Sequence, residues 1–61
     1  MTDRQRRILA LFAEGYTTKQ VCDELTWSAR TVKNDLQDFE VEHNLRNRTQ
    51  AVAYAIRQGW I

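Results

Sequence analysis

The fold of this chain is decided by residues 17–39, which read TTKQVCDELTWSARTVKNDLQDF. The stretch opens with a helix start signal, because Thr17 and Gln20 have the spacing of a capping box. Val21 and Leu25 lie four residues apart and give this helix one buried face. The pattern therefore predicts a short helix that begins at the threonines and ends near Leu25.

A longer helix follows almost at once. Ser28 is a good N-cap residue, and Val32, Leu36 and Phe39 form an apolar stripe at helical spacing. Asn44 can end the helix, since Asn tolerates the left-handed conformation nearly as well as Gly does. A short helix, a tight turn and a longer helix match the helix-turn-helix unit.

The rest of the chain repeats the same helix signals. Thr2 with Gln5 starts a helix before this unit, and Asn47 with Gln50 starts one after it. Residues expected to stop these two helices are Gly15 and Gly59. Residues expected in their buried arcs are Ile8, Leu9, Leu11 and Phe12, then Ala51, Val52, Ala55 and Ile56. The sequence predicts an all-α fold of four helices in one domain, residues 1–61.

Composition excludes several classes of protein. Cys22 and His43 are single residues of their types, so neither an internal disulfide nor a four-ligand zinc site can form. We therefore expect no metal and no cofactor. The chain has no apolar run of the roughly 20 residues that a membrane span needs, and no signal peptide. We expect a cytoplasmic protein. The net charge of +1 is low for a nucleic-acid binder.

Short motifs along the whole chain carry a family resemblance. They read MTDRQ at 1–5, LFAEG at 11–15, TKQV at 18–21, Ser28, TVK at 31–33, NRTQAV at 47–52 and GWI at 59–61. In this order and spacing they resemble the LuxR-type (GerE-like) helix-turn-helix family of bacterial transcription regulators. The resemblance implies that the third helix lies in the DNA major groove and that the fourth commonly pairs with a second copy. A stand-alone protein and a piece of a longer regulator both fit.

The third helix, about residues 29–43, carries the candidate base-reading residues. Its apolar stripe faces the core, and at about 100° per residue the outer arc includes Lys33, Asn34 and Gln37. Lys can donate to guanine, whereas Asn and Gln can pair with adenine. The resemblance implies the same positions. The alternative interpretation is an ordinary solvated helix face.

Candidate contacts to phosphate lie at the starts of three helices, where free N–H groups and the helix dipole favour an anion. They are Thr17, Thr18 and Lys19 in helix two, Arg48 in helix four, and Arg30 and Thr31 in helix three, for which a contact to flanking bases is also open. Arg48 matches a family arginine, for which a phosphate contact and a bond to a helix carboxyl end are both open. A basic run interpreted as a solvated face, with a weak phosphate contact open, contains Arg4, Arg6 and Arg7.

The sequence departs from the family pattern in helix three. The helix and its flanks carry four acids, Asp35, Asp38, Glu40 and Glu42, against Arg30 and Lys33. Family members often have His in place of Asp35 and Lys in place of Glu42. Fewer basic contacts mean less counterion release, so we expect weak binding by one copy. His43 falls on the core arc and is either a satisfied, partly buried side chain or a pH-sensitive element.

Two functions remain open. The first is sequence-specific transcription regulation on double-stranded DNA as a homodimer, with an outward surface on helix four formed by Ala53, Tyr54 and Arg57. The second is a fold kept mainly to bind another transcription regulator. An enzyme is not expected, because no nucleophile–base arrangement, phosphate loop or metal cluster is visible.

Overall fold

The local helix signals of the sequence produce four helices and no strand. A computed structural model describes all residues, 1–61. The helices are α1 (Asp3–Ala13), α2 (Thr18–Leu25), α3 (Ala29–Glu42) and α4 (Arg48–Arg57). The predicted all-α architecture is confirmed. None of the helices has the length and apolar character that a membrane crossing requires.

Each helix begins where the sequence predicts. The four N-cap side chains that accept the N–H of the third helical residue belong to Thr2, Thr17, Ser28 and Asn47. The capping boxes at the first two helices are complete, because the glutamine side chain also accepts the N–H of the cap residue. In α4 the reciprocal bond differs: Gln50 Oε1 accepts the N–H of Arg46 at 2.7 Å.

Left-handed residues end the helices. Gly15 (φ 89°), Asn44 (φ 56°) and Gly59 (φ 74°) take this conformation, as the sequence predicts. Thr26 (φ 58°) takes it as well, which propensity does not predict for a β-branched residue. Its N–H donates to the carbonyl of Cys22, and only Thr26, Trp27 and Ser28 separate α2 from α3.

The core consists of two clusters that share α1. The first, beneath the α2–α3 unit, contains Ile8, Phe12, Val21 and Val32. The second, between α1, α3 and α4, contains Leu9, Phe39, Ala51 and Ala55. Leu36 and Val52 pack against both clusters. Because α3 contributes Val32 to one cluster and Phe39 to the other, both of its ends are anchored and its outer face has a defined orientation.

One core prediction is wrong. Ile56 was expected to be buried, and it is 53% exposed. The centre of the α4 contact is formed by Ala51 and Ala55, and the buried arc extends from them toward Tyr54, which packs on the second cluster. Trp60 packs there too, and its N–H donates to the carbonyl of Ala55 at 2.9 Å. Ile56 therefore faces away from the core.

Candidate nucleic-acid interface

The outer face of α3 carries polar side chains without protein partners. Lys33, Asn34 and Gln37 are exposed, and none of them makes a side-chain hydrogen bond or an ion pair within the chain. They lie on adjacent turns of a helix of 14 residues. The structure therefore brings these three predicted residues together on one accessible surface with free donors and acceptors.

Two further candidates, Thr31 and Arg30, lie at the start of α3, and only Thr31 has a partner within the domain. Ser28 Oγ accepts the N–H of Thr31 and donates to Thr31 Oγ1, both at 3.1 Å. The Thr31 hydroxyl oxygen is thus an acceptor in the cap, and its O–H remains free to donate to an external acceptor. Arg30 is exposed and unpaired, so its guanidinium is free to contact an external anion.

The start of α2 supplies free backbone donors. Thr17 acts as the cap: its Oγ1 accepts the N–H of Gln20 at 3.2 Å, and its own N–H donates to Gln20 Oε1 at 2.8 Å. The next two N–H groups, of Thr18 and Lys19, have no partner inside a helix. The Lys19 side chain is exposed. Together these groups form a small positive surface.

Arg48 joins that surface from α4. Its Nη1 donates to Thr18 Oγ1 at 3.3 Å, and its Cζ lies 4.5 Å from the centroid of the Phe12 ring. It makes no hydrogen bond to the carboxyl end of a helix in this structure. The structure thus assembles three of the predicted residues, Thr18, Lys19 and Arg48, at one end of the α2–α3 unit.

Asp35, an acid of α3, is neutralised inside the domain. Arg4 donates from Nε and Nη2 to its two carboxylate oxygens at 2.7 and 2.8 Å. The side chain of Asp35 is only 14% exposed. The hydrogen bond and the negative charge of Asp35 raise the pKa of Arg4 above its ordinary value. Arg4 also lies over Trp27, 5.8 Å from the ring centroid, so it connects α1 to the turn and to α3.

The other three acids of α3 have no such partner. Asp38 is exposed, Glu40 is partly buried, and neither forms an ion pair. Glu42 Oε2 lies 3.7 Å from His43 Nε2. These carboxylates remain able to repel phosphate, which keeps the expectation of weak binding by one copy.

His43 lies in an aromatic cluster at the end of α3. Its ring centroid is 4.6 Å from that of Phe39, 5.1 Å from that of Tyr54 and 5.4 Å from that of Trp60. The prediction of a partly buried residue is confirmed, since the side chain is 18% exposed. It is not satisfied, however, because the buried Nε2 has no hydrogen-bond partner.

The outward stripe of α4 differs from the prediction. Tyr54 is partly buried, with its ring 6.4 Å from Phe39 and 5.7 Å from Trp60, so it does not face outward. Arg57 is exposed and Ala53 is partly exposed. At about 100° per residue, Thr49 and Ile56 lie on the same side as Ala53. The outer stripe is therefore Thr49, Ala53 and Ile56, with Arg57 at its edge.

Two important side chains escaped the sequence reasoning. Arg4 neutralises Asp35 across 31 residues of chain, and Phe12 supports Arg48 from a different helix. Phe12 was expected only in the core, and Arg4 on a solvated face with a weak phosphate contact open. No local pattern could have indicated either contact, because each depends on how α1 packs against another helix.

Comparison with known proteins places this arrangement in a family. The sequence profile of the family described as bacterial regulatory proteins, luxR family, matches residues 1–55. The spore germination protein GerE of Bacillus subtilis is 32% identical over 59 residues, which are 97% of this chain and 80% of that protein.

Longer regulators also match. The transcriptional regulatory protein DegU of Brevibacillus brevis is 34% identical over 61 residues, which are 100% of this chain and 26% of that protein. The DNA-binding transcriptional activator DevR/DosR of Mycobacterium tuberculosis is 36% identical over 55 residues, 90% of this chain and 25% of that protein. The chain thus spans about a quarter of these two relatives.

Proposed function

The chain belongs to the luxR family of bacterial regulatory proteins, and from this premise we propose that residues 1–61 form a sequence-specific DNA-binding domain of a transcription regulator. The observation that carries the proposal is the set of unpartnered polar side chains on the outer face of α3. The relative DevR/DosR is by its name DNA-binding. The family is one of regulatory proteins and not a class of enzymes.

Base recognition is assigned to the outer face of α3 in the major groove. Lys33 would donate to guanine O6 or N7, and Asn34 and Gln37 would each form two hydrogen bonds with adenine. These side chains have no internal hydrogen bonds to break on binding. They follow one another on adjacent turns, so they reach successive base pairs along the groove.

Backbone recognition is assigned to the surface around α3. Thr18, Lys19 and Arg48 meet at one phosphate position, and Arg30 and Thr31 reach another at the start of α3. Such contacts set the register of the domain on the duplex but carry no base preference. Thr17 contributes indirectly, as the cap that leaves the first N–H groups of α2 exposed.

A homodimer supplies the affinity that one copy lacks. The net charge is +1, and Asp38, Glu40 and Glu42 remain near the proposed groove. Two copies double the phosphate contacts and read two half-sites. The outer stripe of α4 is suited to a two-fold contact, since small Thr49 and Ala53 allow close approach and exposed Ile56 supplies apolar area. Tyr54, expected there from sequence, is replaced by Ile56.

The test is an unbiased selection, in which the duplexes that bind the protein are isolated from a random-sequence pool. The salt concentration is stated and lies within the ionic range of the bacterial cytoplasm. Lys33→Ala should weaken binding to the selected site and relax the preference at one base pair, whereas Lys19→Ala should weaken all sequences similarly. Paired half-sites in the selected duplexes would support the dimer, and single half-sites would contradict it. Equal affinity of the wild type and Lys33→Ala for the selected site would overturn the assignment of Lys33.

Binding to another regulator is the second candidate function. It is favoured by one observation: Val41 is 74% exposed on the outer face of α3, next to the acidic residues Asp38 and Glu42. An apolar side chain bordered by acids fits a basic protein partner better than phosphate. A salt titration of binding to random duplex separates the two functions, because DNA binding must weaken steeply with salt.

A further inference from the structure

Resting on the proposed phosphate contact of Arg48, we propose that Phe12 is the positioning residue that holds the Arg48 guanidinium at the phosphate. The ring of Phe12 is only 8% exposed and is fixed in the first core cluster. Arg48 Cζ lies 4.5 Å above it, and Nη1 reaches Thr18 Oγ1 at the start of α2. A buried ring therefore holds an exposed cation beside the start of α2, where free N–H groups could bind the same anion.

The position of Arg48 in α4 needs such an explanation. It is the first residue of the helix, directly after the cap Asn47. A cation there lies at the positive end of the helix dipole, which disfavours it. Arg48 forms no ion pair that would compensate. The stack on Phe12 and the bond to Thr18 are the interactions that keep it in place.

A ring holds a guanidinium without neutralising it. The attraction between a cation and a π face uses none of the five N–H donors of Arg. One donor goes to Thr18, and the others remain for a phosphate, which Arg can bind with two parallel hydrogen bonds. Because the side chain is already ordered, binding loses less rotamer freedom. Phe12 thus raises DNA affinity without touching DNA.

The experiment measures binding of a labelled random-sequence duplex by fluorescence anisotropy at low salt, at a temperature where melting curves show every variant folded. Phe12→Leu removes the ring, and we expect binding about three- to fivefold weaker. Phe12→Tyr keeps the ring and should bind like the wild type. The ring borders a surface cavity of about 260 Å³, which gives the added hydroxyl room.

Two controls separate positioning from general loss of stability. Ile8→Val trims the same core cluster away from Arg48 and should leave binding unchanged. In an Arg48→Ala background, Phe12→Leu should have no further effect, because the two residues act through one contact. If Phe12→Leu does not fold, Phe12→Met takes its place: it also removes the ring while filling more of the site, and we expect binding about threefold weaker.

The outcomes distinguish the positioning role of Phe12 from the phosphate contact of Arg48 on which it rests. If Arg48→Ala weakens binding but Phe12→Leu does not, the positioning role is overturned while the phosphate contact stands. An equal loss in Ile8→Val, or a loss that persists without Arg48, would also overturn it. If the wild type shows no salt-dependent binding, the proposed function itself fails, and the role of Phe12 fails with it.

Discussion

Two arginines of this domain lie over aromatic rings, and they differ in their second contact. Arg4 lies 5.8 Å from the centre of Trp27 and donates two hydrogen bonds to the carboxylate of Asp35. Arg48 lies 4.5 Å from the centre of Phe12 and donates one hydrogen bond to the hydroxyl of Thr18. The first is a neutralised pair, whereas the second keeps its full positive charge at the surface.

The difference shows that formal charge alone does not identify a phosphate contact. In Arg4, the carboxylate accepts two parallel hydrogen bonds from one edge of the guanidinium, which is how a phosphate would be bound. In Arg48, a hydrogen bond to one hydroxyl and a contact with one ring leave such an edge free. Arg4 therefore connects α1 to the α2–α3 unit, and Arg48 is available to DNA. The same bond removes one of the four acids of α3 from those that repel DNA.

The largest effect expected from this comparison is on binding to random duplex. Arg48→Ala should weaken binding about tenfold at low salt and reduce the slope of log K against log[salt] by about 0.9, because one phosphate contact is lost. Arg4→Ala is the matched loss of an arginine that lies over a ring. It leaves the charge of Asp35 unpaired but removes no proposed phosphate contact, so it should weaken binding and reduce the slope less than Arg48→Ala does. A salt titration of both variants by anisotropy measures this. Equal losses in the two variants would contradict the distinction between them.

A smaller effect on DNA binding is expected when Arg4 is released from its ion pair with Asp35. Asp35→Asn removes one negative charge from α3 and frees the guanidinium beside it, so binding to random duplex should tighten about threefold at low salt. The same change should lower Tm by about 4–8 °C, because it breaks a two-bonded pair between helices whose carboxylate is only 14% exposed. Combining it with Arg4→Gln should remove the part of the gain due to Arg4. Unchanged or weaker binding by Asp35→Asn would show that Arg4, once released, adds nothing to DNA binding.

The smallest effect concerns Arg6 and Arg7, which form ion pairs only with Asp3 in their own helix. The hydrogen bond from Arg6, and then the charge of Arg7, lower the pKa of Asp3 below its ordinary value of 3.8. The folded state thus favours the ionised carboxylate, whose stabilisation is complete above about pH 4 and is lost as pH falls through the lowered value. Tm of the wild type should therefore fall more steeply below about pH 4 than Tm of Asp3→Asn.

Melting curves recorded by circular dichroism between about pH 2 and 6, at steps of about half a pH unit, would measure this difference in Tm. Parallel Tm profiles for the two proteins would mean that Asp3 contributes nothing to acid sensitivity. The pairs of Asp3 with Arg6 and Arg7, at 2.6 and 3.1 Å, lie within one helical turn. Unlike the pair of Arg4 and Asp35, they connect no two helices.

The helices and the exposed outer face of α3 followed from short-range patterns. A cap such as Thr17 acts on a backbone group three residues away, and the outer position of Lys33 follows from the helical period once Val32 and Phe39 are assigned to the core. Both relations are contained in a few consecutive residues. Helix starts, helix ends and the exposure of the α3 side chains were therefore predictable.

Contacts between helices were not predictable in the same way. The chain order alone could indicate neither the partner of Asp35 nor the support of Arg48, and it placed Ile56 in the core and Tyr54 outside. These outcomes depend on the angle and depth at which α1, α3 and α4 pack. That packing is set by side chains such as Ala51, Ala55 and Trp60 acting together, so which arginine is neutralised and which remains free for DNA was decided only in the folded domain.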